Sequence, residues 1–293
     1  MTASGLKRGK ALLTGLVLAL ASFAAAAEPV QIKPGLLRLN GNLELPAGQQ
    51  IADSRMVLIV HGTLSWYGQE TIAALQKNLK QRGDPSLAIN LSLGIDDRQR
   101  ARPCDVLHDY ALAGARREIV QWIDWLYSQN ARSVDVVGFS RGGAQVAALG
   151  PELPKARRLV LLAPTFATAA EQSATYERAF GRPLAPELDK ARREPLQSFT
   201  TDFLTCRQAP VLGATLLDGY EEMSPRLAAK TGHQTLVVIA GKDEIVPDLG
   251  RKLPSEVPQA TVEGAGHFFL DLYGEEAADI VSKFLKRDPP AAK

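Results

Sequence analysis

Residues 133–150, SVDVVGFSRGGAQVAALG, decide how the rest of the chain is read. Val134 to Phe139 is an apolar, β-branched run of the kind that forms a strand buried on both faces. A sharp turn follows at Gly138-Phe139-Ser140-Arg141-Gly142, and an Ala-rich helix is expected from about Gly143. A serine placed between strand and helix in this way has its hydroxyl exposed on a strained backbone. The two elements then pass so closely that only glycine fits beside it. The pattern Gly-x-Ser-x-Gly is weak by itself, but the strand before it and the helix after it supply the context it needs.

Working outward, strands and helices alternate. RMVLIV (55–60) and LAINL (87–91) are continuous apolar strands, with helical spacing at Ile72, Leu75 and Leu79 between them. A second helix is expected over 109–129, with Ile119, Ile123 and Leu126 inward. RLVLLA (158–163), TLVVIA (235–240) and Ala260 to Val262 continue the strands, and 274–286 is the closing helix. This rhythm predicts a mostly parallel α/β sheet with helices on both faces. Two segments break it. Residues 30–46 read as an antiparallel edge hairpin, with Asn40-Gly41-Asn42 as its turn. Residues 164–232 hold amphipathic helical pieces and many prolines, and read as a helical cap inserted over the carboxyl edge of the sheet. One α/β domain, 28–293, with an insertion is the expectation.

The chain has 293 residues, 45% hydrophobic and 23% charged, within the ordinary globular range. Its first 27 residues read as a secretory signal peptide: Lys7, Arg8 and Lys10, then an apolar run from Ala11 to Ala21, then small residues at Ala24 to Ala27. The apolar stretch is short for a membrane span. Removing 1–27 takes three basic residues and no acidic one, so 34 Lys and Arg become 31 against 32 Asp and Glu, a formal charge of −1. No basic tract interleaved with aromatics is present, which excludes a nucleic-acid-binding footprint. A periplasmic or secreted location is the expectation. There the two cysteines, Cys104 and Cys206, favour a disulfide, whereas in a reducing cytosol they would be free thiols.

Four short motifs stand in order: His61-Gly62-Thr63 after a strand, GFSRGG (138–143), GKDEIVP (241–247) and GAGHFF (264–269). Together they resemble the α/β-hydrolase superfamily over residues 43–285. A finer likeness is to exported bacterial members with no assigned substrate, which carry an HGT loop, an Asn90-Leu91-Ser92-Leu93-Gly94 stretch, and a loop holding Cys104 and His108. Arg141 departs from the smaller or apolar residue that many lipases carry after the nucleophile.

The resemblance implies a serine nucleophile, an acid and a histidine in that chain order. A serine hydroxyl is a poor nucleophile until a base takes its proton, and the base needs an acid to orient it. Of His61, His108, His233 and His267, only His267 follows both the elbow and the loop after TLVVIA. Asp243 directly follows that strand, with Glu244 and Asp248 as rivals. The expected catalytic residues are therefore Ser140, Asp243 and His267. The expected oxyanion donors are the N–H groups of Arg141 and Thr63. His61 reads as a support for its loop.

Asp96 to His108 forms a long polar loop. Arg98, Arg100 and Arg102 read as a solvated charged face, with contact to an anionic substrate as the alternative. No recognised metal-ligand spacing appears, and the chemistry calls for no cofactor. The sequence thus points to a serine hydrolase acting on a carboxylic ester, thioester or amide of a small-molecule or lipid-like acyl substrate. The alternatives are a binding or accessory protein on the same scaffold, and a peptidase or acyltransferase.

Overall fold

In the computed structural model, residues 1 and 27–287 are described. The signal-peptide reading lies almost wholly outside them. The order of elements is β1 (Glu28–Ile32), β2 (Leu39–Glu44), β3 (Arg55–Val60), α1 (Glu70–Gln81), β4 (Ser86–Ile89), α2 (Leu112–Ser128), β5 (Ser133–Phe139), α3 (Arg141–Leu149) and β6 (Ala156–Leu162). Then come α4 (Ala169–Phe180), α5 (Ala185–Arg193), β7 (Ser198–Phe203), β8 (Cys206–Leu212) and α6 (Gly213–Gly219). β9 (Gln234–Ala240), α7 (Leu249–Lys252), β10 (Gln259–Val262) and α8 (Leu272–Lys286) close the chain.

Eight strands form one sheet in the order β1-β2-β4-β3-β5-β6-β9-β10. The pairs from β4 through β10 are parallel, and β1 and β2 make an antiparallel edge. Period-two alternation sorts the strand side chains between two cores. Val134 and Val136 of β5, with Met56, Leu58 and Val60 of β3, pack under Trp122, Ile119 and Ala144. Val137, Phe139, Val57 and Ile59 pack instead against Ile72, Leu75 and Leu79 of α1 and Val281 and Leu285 of α8. Both faces are covered, which is why these strands read as unbroken apolar runs. Among the described residues no helix is long and apolar enough to cross a membrane.

Two expectations are corrected. The edge hairpin exists, but Asn40-Gly41-Asn42 is not its turn; these residues lie inside β2 and pair with Gln31, Val30 and Pro29. The connection runs through 33–38. Gly41 is there because a β-carbon would stand 3.0 Å from Leu87 and 3.3 Å from the Trp122 ring. Asn40 is there because its amide donates to Asp97 and to the Arg98 carbonyl (3.0 and 3.2 Å). A packing pair thus mimicked a turn signal. The insertion over 164–232 is also not purely helical. Besides α4, α5 and α6 it holds the antiparallel hairpin β7–β8. Phe203, Ala209, Val211 and Leu216 of this insertion belong to the same apolar cluster as the sheet face beneath them. The lid is therefore continuous with the main core.

Candidate active site

The elbow is built as its spacing predicts. Ser140 takes φ 55 and ψ −123, a region that an L-residue occupies only when its surroundings impose it. The imposition is visible: a β-carbon on Gly142 would lie 2.4 Å from the His61 carbonyl oxygen, and one on Gly62 would lie 3.0 Å from Ser140 Cβ. The glycines let β5, α3 and the loop after β3 converge on one serine. α3 begins directly at Arg141, so the N–H of Arg141 comes before any intrahelical acceptor. Thr63 follows on the adjoining loop, and both residues line the same cleft.

Ser140 Oγ donates to His267 Nε2 (2.9 Å), and His267 Nδ1 donates to Asp243 Oδ2 (2.9 Å). A carboxylate at Nδ1 places the ring hydrogen there and leaves Nε2 as the acceptor facing the serine. Asp243 Oδ1 accepts from the N–H groups of Ile245 and Val246 (2.8 and 2.7 Å), which fixes the carboxylate from behind. Burial pushes the Asp243 carboxyl up, but the His267 and backbone hydrogen bonds outweigh it and the net shift is downward. Glu244, the sequence rival, points elsewhere: its Oε2 accepts from the backbone N–H of His267 (3.1 Å) and so holds the loop rather than the ring. Ser140, Asp243 and His267 are all buried, at 6%, 9% and 2% exposure, so their charges interact away from bulk water.

His61 supports its loop. Its Nδ1 donates to the Gly62 carbonyl (2.8 Å), and Nε2 accepts from Leu91 N–H and Arg98 Nη2 (3.2 and 2.9 Å). Burial, reinforced by the Arg98 charge, pushes its pKa down to about 3 and keeps the ring neutral.

The arginine loop departs from its expectation. Arg98 and Arg102 are each 4% exposed and are neither solvated nor turned to a substrate, while Arg100 is exposed. Arg98 Nε donates to the Leu91 carbonyl and Nη1 to the carbonyls of Ser65 and Arg100 (2.7, 2.7 and 2.5 Å). It thereby ties the loops after β3 and β4 to its own. Arg102 Nε donates to His108 Nδ1 (3.2 Å), and its backbone N–H donates to Leu64 (2.8 Å). His108 exchanges backbone hydrogen bonds with Pro210 and Leu212, and a Cys104–Cys206 disulfide joins the same loop to the lid hairpin. That bridge removes Cys104 from any ligand role. Glu118, which sequence reading overlooked, accepts from both the N–H and the Oγ of Ser92 (2.6 and 2.5 Å). It is an ordinary helix carboxylate in sequence, and only the fold brings it to Ser92.

A cleft of about 390 Å³ runs between the elbow and the lid. Phe166, Tyr176 and Phe180 of the lid side, Val246 and Pro247 of the loop after β9, and Thr63 and Arg141 line it. Among the described residues no cluster of three or more His, Cys, Asp or Glu could hold a metal ion.

A family model described as the alpha/beta hydrolase family matches residues 57–282, most of the chain and all four motifs. The chain belongs to the alpha/beta hydrolase family. Solved structures agree on the fold. Est1E from Butyrivibrio proteoclasticus has a TM-score of 0.63 at 18% identity, covering 89% of this chain and 98% of its own. The Pyrococcus furiosus esterase Pf2001 has a TM-score of 0.57 at 16% identity, covering 89% and 90%. The esterase domain of a Rhodothermus marinus protein has a TM-score of 0.57 at 14% identity, covering 89% and 98%. No curated protein sequence matches the hydrolase.

Proposed function

We propose that this hydrolase cleaves carboxylic esters through an acyl-enzyme on Ser140. The observation that carries the reading is the unbroken hydrogen-bonded chain Ser140–His267–Asp243, whose neighbours Arg141, Ile245 and Val246 line a cleft. Ser140 Oγ attacks the acyl carbon while His267 Nε2 takes its proton, and Asp243 stabilises the resulting imidazolium. The N–H groups of Arg141 and Thr63 receive the oxyanion. Collapse expels the alcohol with the proton from His267 and leaves an ester on Ser140. Water, deprotonated by His267, then attacks that ester, and the acid departs with Ser140 restored.

Lid residues around the cleft set substrate size, and a small-molecule or lipid-like acyl substrate fits its mostly apolar walls. The chemistry needs no cofactor. The reading of residues 1–27 as a signal peptide and the Cys104–Cys206 bridge support a periplasmic or secreted location.

Incubation of the folded protein with a fluorophosphonate tests the nucleophile. Adduct on Ser140 and on no other serine is expected, and an unmodified Ser140 would refute the proposal. Screening p-nitrophenyl esters of graded chain length against matched amides then separates esterase from peptidase chemistry. A binding protein on this scaffold would keep its function in Ser140→Ala, whereas a hydrolase would lose it.

A further inference from the structure

Resting on that reading, we infer that the cleft selects esters carrying a carboxylate, and that the Arg141 guanidinium is the group that seats it. Arg141 follows the nucleophile directly, and it lines both the 390 Å³ cleft and a smaller chamber walled by Leu64, Leu91, Leu93 and Tyr110. Only one nitrogen of the fork is engaged within the protein. Nη2 donates to the carbonyls of Gly219 and Asp218 at the carboxyl end of α6 (3.0 and 3.4 Å). Among the described residues Nε and Nη1 donate to nothing.

The charge also lacks a partner. No carboxylate lies within 4.0 Å of the Arg141 fork among the described residues; buried Arg98 and Arg158 also bond to neutral oxygens, but neither of them lines the cleft. Burial pushes the Arg141 guanidinium below its ordinary value, and the groups that face it, Tyr110, Tyr220, Glu221 and Asp218, offset this only in part. Two neutral carbonyls satisfy hydrogen bonds but do not neutralise this half-buried cation. The cleft as a whole has the same bias. Its lining holds Arg141, Arg178 and Lys252 against the single carboxylate Glu171, and Glu171 is already paired with Lys252 (2.7 Å). The N–H groups of Nε and Nη1 remain to donate to a carboxylate oxygen, each as a charge-assisted hydrogen bond. The chemical class implied is a half-ester of a dicarboxylic acid, or an ester of a hydroxy acid.

The test compares matched pairs: monomethyl glutarate with dimethyl glutarate for an anion on the acyl side, and O-acetylglycolate with its methyl ester for one on the alcohol side. The ratio of kcat/KM, anionic over neutral, is expected to exceed about tenfold in one pair. It should collapse towards one in Arg141→Met and be partly kept in Arg141→Lys. Any effect of the substitution on the neighbouring backbone cancels in the ratio. Calorimetric binding to Ser140→Ala gives a readout independent of turnover. There monomethyl glutarate should bind at least about tenfold more tightly than dimethyl glutarate, and added salt should erode the difference. Hydrolysis of neutral esters with no anion preference in either pair would overturn this inference and leave the esterase proposal standing. A protein that hydrolyses none of the four would overturn the esterase proposal, and equal binding of both glutarates to Ser140→Ala would then overturn the anion site as well.

Discussion

The elbow and the lid face each other across one cleft, and they hold their shapes by different means. At the elbow the constraints are local. Gly138, Ser140 and Gly142 lie within five residues, and the contacts that force Ser140 to φ 55 come from the strand and helix on either side of it and the loop after the neighbouring strand. In the lid the constraints are long-range. Cys104 meets Cys206 across 102 residues, and His108 pairs with the backbone of β8. A local constraint leaves a pattern in sequence. A long-range one leaves single residues whose partners only the fold supplies. The Ser140 turn therefore lies in the region that can be read from sequence, and the lid walls of the cleft in the region that cannot.

The largest effect that would break this division is at the acid. Asp243→Asn keeps the shape but removes the charge that orients His267, and esterase turnover is expected to fall by about 10³- to 10⁴-fold. Glu244→Gln, which disturbs only a backbone contact, should cost less than about tenfold. Steady-state kinetics on one ester decides between them, and equal losses would mean that the local reading of the turn is wrong.

A lid held by long-range ties should respond to their removal without loss of the elbow. The Cys104→Ser/Cys206→Ser double variant is expected to lose about 2–4 kcal/mol in urea unfolding, since the bridge closes a loop of 102 residues. The lid amides should show faster hydrogen exchange than those of β5. Unchanged lid exchange would show that the apolar cluster, rather than the bridge, holds it. Arg98→Met is the intermediate case. It strips the carbonyls of Leu91 and Ser65 and the acceptor on His61 of their buried donor, with an expected cost of about 2–4 kcal/mol. KM and kcat should shift together as the Gly62-Thr63 loop loosens.

The last effect is in pH, and it is absent at neutrality. His61 and His108 are held neutral, their pKa values pushed down by burial to about 3 and about 4. Unfolding releases each to about 6.5, so the unfolded chain binds more protons as pH falls below that value. The stability is full above about pH 6.5 and is lost as pH falls towards 4, each histidine adding up to about 1.4 kcal/mol per pH unit. Asp243, depressed in the fold, adds a further loss only below about pH 4. Urea midpoints measured between pH 7 and pH 4 should fall steadily, and a flat profile would mean that these rings are hydrated.

What was legible follows the same division. The strand runs, the elbow, His267 and Asp243 declared themselves because period, glycine placement and chain order are sequence properties. Asn40-Gly41 misled because Gly41 answers to the Trp122 ring and not to a turn. Arg98 and Arg102 misled because a buried arginine with backbone carbonyls for partners has the same local sequence as a solvated one. The β7–β8 hairpin, SFTTDF and CRQAPVL, carries too little apolar alternation to stand out among prolines, and it is the sheet floor and the disulfide that hold it.

The central claim is a covalent intermediate on Ser140, and trapping it is the direct measurement. The protein would be mixed with excess p-nitrophenyl butyrate, quenched in acid within milliseconds, digested and analysed by mass spectrometry. A butyryl group on the peptide containing Ser140, formed with a burst of one p-nitrophenol per protein and absent in His267→Ala, is the predicted result. Turnover without any acyl group on Ser140, or equal acylation in His267→Ala, would contradict the account.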